Sequence, residues 1–568
     1  MTSTAVCATC GSSTSEPRFN AASSGAIEEL RLNGSIAPDE VQRTLSLLER
    51  EYQDYSLRIS QLQGQIRVLM LHQRRVKEYQ SNLRTFQSPI RKVPNEILRW
   101  IFNYASSNNI LLEDDCNIRL STVHEEYTPG VIPALALSSV CSQWRNLASS
   151  YPEIWSRITL LLKLKVPPGA ASKGFMDTVE VFIERSGSFP LSLRIESLQL
   201  GVEVNAFHPV LSLVGKHTQR WSAFEFLSQR VIEHEMFGLP SHVVTFPILE
   251  NLKIIRPSDV GFFQHAPKLS SLSTNTALPL ALNPTHHWQQ LTSLEIRNTR
   301  RLRELVRISS KLVSINIHLP GIPLLPLESE LLIMENLKWL MIIFDGAFYT
   351  NDSGTYNLEM LLSSLLCSAL TSLCITKNSS AAEIRWPRNT LTSFLARSSC
   401  SITELLIEYM DLTDNDLISL CKSIPALISL SVRDSNNVLR THSSIAITST
   451  FIKSLHSFAS SALRPSFQPL LPKLQQLSLT YAGDSFDDAA FVDMVESRCL
   501  PKADALRMGI TPLRSVVLKY WHRSLSSLDE VKDIYKPLAL LDQAGFRIVV
   551  NLKDDPSDRS QSVAVRNF

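Results

Sequence analysis

The chain has 568 residues and a formal net charge of +2. It is too long for one hydrophobic core and too evenly charged to point to nucleic acid or an anionic membrane as a partner. Hydrophobic residues make up 44% of it, enough for a large core, and most of its nine cysteines lie in apolar runs, as buried thiols do and a secreted disulfide framework does not.

Residues 1–29 are expected to be a disordered N-terminus. Met1 to Ser24 is rich in Ser, Thr and Ala and has no apolar run, so it reads as neither a signal nor a transit peptide. Cys7 and Cys10 form half of a zinc knuckle, but no second pair follows nearby to complete four ligands.

Residues 30–87 are predicted to carry one long helix with a heptad seam. Val41, Leu45, Leu48, Tyr52, Tyr55, Ile59, Leu62, Ile66, Leu69, Val76 and Leu83 follow alternating steps of four and three, with Gln73 and Gln80 as polar members of the same seam. Pro38, Asp39 and Glu40 suit a first helical turn, and Ser88-Pro89 ends it. Such a seam either self-associates through residues 39–83 as a coiled-coil dimer or packs in cis, and the pattern leaves both open.

Residues 88–160 form the next unit. Pro94 sits where a helix can begin, and Ile97, Leu98, Ile101 and Phe102 fall on one face of it. A second helix is expected to carry Leu137, Val140, Cys141, Trp144, Leu147 and Ala148 on one face and to stop at Pro152. Between them lies a polar insertion, 103–134, which includes Ser106, Ser107, Asn108, Asn109, Glu113, Asp114 and Asp115.

The residue order adds to the periodicity. Val93-Pro94-Asn95-Glu96-Ile97-Leu98 followed by Ile101-Phe102 resembles the opening of an F-box. Val140-Cys141-Ser142-Gln143-Trp144-Arg145-Asn146-Leu147-Ala148, with Tyr151-Pro152-Glu153-Ile154-Trp155 after it, resembles the close. With the preceding long helix, residues 30 to 160 resemble the large F-box family of mushroom-forming (basidiomycete) fungi. The insertion departs from a compact F-box.

Beyond residue 160 the chain reads as a repeat domain, 161–550, followed by a tail, 551–568. Arg157–Leu160 is a predicted strand, Phe175–Arg185 a helix, Ser186-Gly187-Ser188 a turn and Phe189–Ile195 a strand. Then Leu-x-x-Leu-x-Ile pieces recur, starting at Leu249, Leu269 (its first four residues only), Leu291, Leu312, Leu337, Leu370, Ile402, Leu427, Leu474 and Leu513. Their spacing begins near that of a leucine-rich repeat and lengthens irregularly, which points to a degenerate solenoid in which each strand buries one face against its neighbours. The segments Asp414–Ser423 and Asp487–Ser497 read as helices between strands. The fold class expected for the whole is α+β and multidomain: a long N-terminal helix, a helical F-box and a leucine-rich-repeat-like α/β solenoid.

No GxGxxG, GxSxG or HExxH occurs, Gly215-Lys216 lacks the upstream glycine of a P-loop, and the His286-His287 pair reads as loop histidines. Composition and motifs therefore lead to a non-enzymatic protein without cofactor or metal, with neither nucleic acid nor a membrane as partner. With no leader-like or membrane-spanning stretch read in it, the chain is expected to be cytoplasmic or nuclear. The resemblance implies a substrate receptor of a ubiquitin ligase. A Skp-type adaptor would dock on the box and link it to a cullin and a RING protein. Ile90, Val93, Pro94, Ile97, Leu98, Ile101, Leu137, Val140, Cys141 and Trp144 would be the adaptor-facing or box-core set. An alternative is a scaffold that binds the adaptor or self-associates without directing degradation. In the repeats, residues flanking the inward apolar positions point away from the core. Glu295, Arg297, Asn316, His318, Glu408 and Arg433 are thus candidate contacts for a protein substrate, and their mixed signs argue against a simple charged ligand.

Overall fold

A computed structural model describes residues 38–113, 131–162, 173–197, 209–228, 231–239, 244–274, 289–297, 309–320, 331–344, 353–377, 384–434, 445–458, 469–482, 486–521, 528–543 and 545–551, with 5–6, 13–14, 32, 302 and 306. Cys7, Cys10, Asp114, Asp115, His286 and His287 lie outside the described residues, as do most of 1–29 and all of 552–568. The chain divides into two compact units, Met1–Leu98 and Arg99–Phe568.

The first unit is dominated by α1, Pro38–Phe86, a continuous helix of 49 residues. Pro38 opens it, Arg84 sits in its last turn, and Arg43 Nε donates to the Asp39 carbonyl at 3.2 Å. A short 3-10 turn, Pro89–Lys92, follows, with the Arg91 guanidinium 4.6 Å from the centre of the Phe86 ring. Helix α2, Asn95–Ala105, spans the division between the units.

The second unit is built on a 15-stranded sheet whose strands follow one another in sequence order, and every adjacent pair is parallel. The strands are β1 (Asn109–Leu112), β2 (Arg157–Leu162), β3 (Leu191–Ser197), β4 (Trp221–Leu227), β5 (Asn251–Ile254), β6 (Ser271–Thr274), β7 (Ser293–Ile296), β8 (Ser314–Leu319), β9 (Trp339–Phe344), β10 (Ser372–Lys377), β11 (Glu404–Glu408), β12 (Ser429–Arg433), β13 (Gln476–Ala482), β14 (Ser515–Trp521) and β15 (Arg547–Asn551). Parallel strands need crossovers, and helices fill several of them: α3 (Pro133–Ser139) and α4 (Ser142–Ser149) lie between β1 and β2, and α5 (Lys173–Arg185) lies between β2 and β3. The class is therefore α/β in place of the α+β expected for the chain as a whole, and the sheet runs across the boundary expected at residue 160.

Each Leu-x-x-Leu-x-Ile piece becomes a strand, and the register stacks like on like. Leu252, Leu272, Leu294, Ile315, Leu340, Leu373, Leu405, Leu430, Leu477 and Val516 are successive neighbours, all buried. The first leucine of each piece is buried too, because the chain turns there: the carbonyl one residue after it accepts two N–H groups from the next strand's start. Thr371 O takes Thr403 N at 2.7 Å and Glu404 N at 3.1 Å, and Thr403 O takes Ile428 N at 2.7 Å and Ser429 N at 2.9 Å. This repeating bond consumes the backbone groups that a tight entry into the strand would otherwise leave unpaired.

Helix starts are linked across crossovers by side chains. Thr413 and Asp416 form a reciprocal capping box on Asp414–Ser423. Asp414 then accepts from Thr448 Oγ1 at 2.8 Å, and Thr448 caps Ser449–Ser454. Ser449 Oγ donates to Asp487 at 2.6 Å, and Asp487 caps Asp488–Arg498. The turn expected at Ser186-Gly187-Ser188 is present, with Gly187 at a φ of +52°, a conformation a Cβ makes costly.

Among the described residues, no helix is long and apolar enough to cross a membrane.

Asp434, just past β12, is the acid with the most consequential burial. Its carboxyl accepts from Ala446 N at 3.4 Å, its Oδ2 meets no donor among the described residues, and burial pushes it up to about 7 against the pull of the Ala446 and Ile447 N–H groups. A carboxyl raised above its unfolded value stabilises the fold fully below the unfolded pKa, and this contribution is lost as pH rises through the folded one. Glu408, itself raised by burial against the attraction of Arg433, acts in the same direction. His217, lowered by burial, acts the other way, so the Asp434 contribution is read as a difference: from pH 5 to pH 8 the melting temperature of the parent should fall relative to that of Asp434→Asn. Equal slopes for the two proteins would contradict this placement.

Candidate functional site

The candidate residues fall on two surfaces. The first lies on α2. Leu98, Phe102 and Ser106 are buried, and they follow the i, i+4 spacing of one helical face. On the opposite side Ile97, Trp100, Ile101 and Tyr104 take positions i, i+3, i+4 and i+7 and are 51%, 76%, 41% and 81% exposed. The shared face expected for Ile97, Leu98, Ile101 and Phe102 is thus split: Leu98 and Phe102 belong to the core, Ile97 and Ile101 to the surface. Periodicity groups residues but does not say which flank of a broad apolar face the fold will cover. Trp100 and Tyr104 were missed, although their spacing from Ile97 was the signal.

What fixes the buried face is legible in the packing. The Phe102 ring lies 4.9 Å from that of Trp144. The single second helix expected from 137 to 148 is two: α3, Pro133–Ser139, and α4, Ser142–Ser149. Between them Cys141 is fully extended, and its Sγ accepts from Trp144 N at 3.5 Å, so a side-chain cap restarts the helix where neither Pro nor Gly announces a break. Trp144, Leu137 and Cys141 are half-buried, Leu147 and Ala148 buried, and Val140, at the break, exposed. Of the residues before α2, Ile90 and Pro94 are exposed and Val93 is half-buried. Helix α4 ends at Ser149, ahead of Pro152, which instead opens a 3-10 turn, Pro152–Trp155.

The polar insertion is also different from expectation. Ser106, Asn109 and Glu113 are buried, and 109–112 is strand β1, paired with β2. Asn109 Nδ2 donates to Ile154 O at 2.8 Å and Arg157 O at 3.0 Å, while its Oδ1 accepts from Ala134 N at 3.0 Å. Ala134 is in the first turn of α3, whose preceding residue, Ile132, offers no side-chain cap. Asn109 therefore satisfies from 25 residues away an N–H that helix starts leave orphaned. Arg157 reinforces the join, donating to Asn103 O at 3.1 Å and pairing with Glu153 at 2.9 Å, and the Trp155 indole donates to Ala148 O at 2.8 Å under the Arg185 guanidinium.

The second surface is the sheet face away from the leucine ladder. The register puts Glu295 beside Asn316 and Glu408 beside Arg433, as the alternation predicted. These are not all available for contact. His318 and Glu408 are buried: His318 Nε2 lies 3.2 Å from Glu295, and Glu408 accepts from Thr376 at 3.1 Å and lies 3.6 Å from Arg433, which also donates to the Tyr409 hydroxyl at 3.0 Å. Neighbouring long side chains on parallel strands pair with each other and cover one another, which single-strand alternation cannot foresee. The His318 bond holds the Glu295 carboxyl below its ordinary range, against its burial. Arg297 is exposed and Asn316 half-buried. Between the two paired clusters lies a strip that sequence reasoning passed over: Trp339, Met341 and Ile343 on β9, half-exposed, with Met341 in register with Cys374 and Leu406 on the next two strands. The alternation that singles out Glu295 and Asn316 applies equally to these three.

Among the described residues, no group of three or more His, Cys, Asp and Glu side chains is arranged to hold a metal ion. No family model matches the chain, and no curated protein matches it.

Proposed function

We propose that this protein is an F-box-type substrate receptor: α2 docks on a Skp-type adaptor, and the open sheet face holds a protein substrate. The observation that carries the reading is the stripe Ile97, Trp100, Ile101 and Tyr104, which faces away from the buried Leu98–Phe102 side of its own helix. Four large apolar side chains on one helix face mark a protein contact rather than scattered surface residues. It coincides with the part of the chain whose residue order resembles an F-box. The strip Trp339, Met341 and Ile343, set between charged clusters of both signs, suits the apolar centre and polar rim of a protein interface. On this reading the protein has no reaction of its own and acts through effective concentration, holding substrate near a ubiquitin-loaded enzyme.

The test is co-expression with a Skp-type adaptor. The full-length protein should co-elute with it, and Trp100→Asp with Ile101→Asp should not, because each charge would be desolvated at an apolar contact at a cost of several kcal/mol. Since both side chains are exposed, the melting temperature of the double variant should stay within about 1 °C of the parent, in line with the small stability effects of surface substitutions. Leu98→Asp would be uninformative here, because Leu98 is fully buried and its loss acts on folding.

A further inference from the structure

The seam of α1 is uncovered along its length. Val41, Leu45, Tyr52, Tyr55, Ile59, Leu62, Ile66, Leu69, Val76 and Leu83 are all exposed, and Leu48 is half-buried. At 1.5 Å per residue the 49-residue helix is about 74 Å long, and a second helix laid along all of it would bury an area on the scale of a specific interface, roughly 1,000 Å² or more. Its period is 3.5, which asks for a partner helix with the same repeat. Among the described residues, the next longest helix of this chain, Leu528–Gln543, has 16 residues and cannot span it.

The steps of four and three assign the heptad. Leu45, Tyr52, Ile59, Ile66, Gln73 and Gln80 are a positions. Val41, Leu48, Tyr55, Leu62, Leu69, Val76 and Leu83 are d positions. At the centre Ile59 and Ile66 at a alternate with Leu62 and Leu69 at d, the combination that favours two parallel strands. Gln73 and Gln80 choose the orientation. In a parallel, in-register pair each a residue meets its own copy, so amide meets amide and both can hydrogen-bond. In any antiparallel pair a meets d, and no d residue is an amide, so each Gln would be buried without a matching partner. The flanking positions agree: Glu51 would face Ser56 of the second copy, Arg58 would face Gln63, and Tyr79 would face Arg84, with no like charges meeting. Gly64 falls at f, away from the seam.

We infer that α1 is the dimerisation arm of this protein, a parallel, in-register, two-stranded coiled coil with a second copy of the same chain. The inference is independent of adaptor docking, since it rests on a different helix and a different face.

Multi-angle light scattering on the full-length protein should give twice the chain mass of 63.8 kDa. Ile59→Asp with Ile66→Asp should give a single chain mass, raising the dissociation constant at least about 100-fold by placing charges in the seam, without changing the melting of the second unit. Leu83→Cys reads the orientation. In a parallel pair the two introduced thiols face each other, so mild oxidation should cross-link the dimer beyond the wild-type background. In an antiparallel pair they sit near opposite ends and stay uncoupled. A wild-type mass of one chain, a mass of three or more chains, or a dimer that Leu83→Cys fails to cross-link each overturns the inference.

Discussion

Arg498→Ala is expected to lower the stability of the second unit by about 3–5 kcal/mol, because hydrogen bonds from a charged group to main-chain carbonyls contribute about 1.5–3 kcal/mol each. Arg498 is fully buried near the end of the helix Asp488–Arg498. Its guanidinium reaches the carbonyls of Leu455, Leu470 and Leu471, the last at 3.1 Å. Burial pulls it down to about 10, so it remains charged at neutral pH. Leu471 sits at a φ of +52°, in the left-handed region that a branched side chain seldom adopts. The fork of the guanidinium fastens that turn on both sides, to the residue itself and to the one before it. Alanine would take their guanidinium donor from the Leu455 and Leu470 carbonyls, leave Leu471 O with only the Leu474 N–H at 3.2 Å, and release the clamp on the strained turn. Arg498→Lys should recover only a small part, because one ammonium cannot match the planar fork. A lower midpoint in urea with an unchanged slope is the expected readout, and a loss below about 1 kcal/mol would mean that the carbonyls find other donors.

Asn109→Ala should be nearly as damaging at the other end of the sheet, by about 3 kcal/mol, since three backbone groups, two of them in buried bonds, lose this partner at about 1 kcal/mol each. The discriminating variant is Asn109→Asp. It keeps the oxygen that caps Ala134 N but replaces two donors with an acceptor facing the carbonyls of Ile154 and Arg157. It should therefore be at least as unstable as Asn109→Ala, and least unstable at low pH, where the protonated carboxyl can donate once. If Asn109→Asp matched the parent at pH 7, the two donated bonds would carry no weight.

The sheet was legible in the sequence wherever its strands were built from leucine. From Leu249 to Leu518 the Leu-x-x-Leu-x-Ile spacing places two inward residues on each strand, and stacking identical spacings fixes the register as well. The strands that were missed lack that spelling. Strand β4 uses Trp221, Phe224 and Phe226 inward, packed with Phe237 and Phe246, and β1 is four residues inside a polar run whose asparagine turned out to be a clamp. The break between α3 and α4 carries no helix-breaking residue, because a cysteine sulfur does the capping. The candidate docking helix was found by residue order, yet its orientation was not. Whether Ile97 or Leu98 faces inward depends on what Phe102 meets, and Trp144 is more than forty residues away. On the sheet face, alternation named the right sides of the strands but could not show that Glu408 is spent on Arg433, or His318 on Glu295.

Calorimetric titration of the full-length protein with purified Skp-type adaptor tests adaptor docking most directly. One adaptor should bind per chain with a dissociation constant of about 1 μM or tighter, a binding free energy near −8 kcal/mol, and affinity should fall at least about 100-fold in Trp100→Asp with Ile101→Asp while the melting curve is preserved. No heat of binding from the parent, or equal affinity in the double variant, would contradict it.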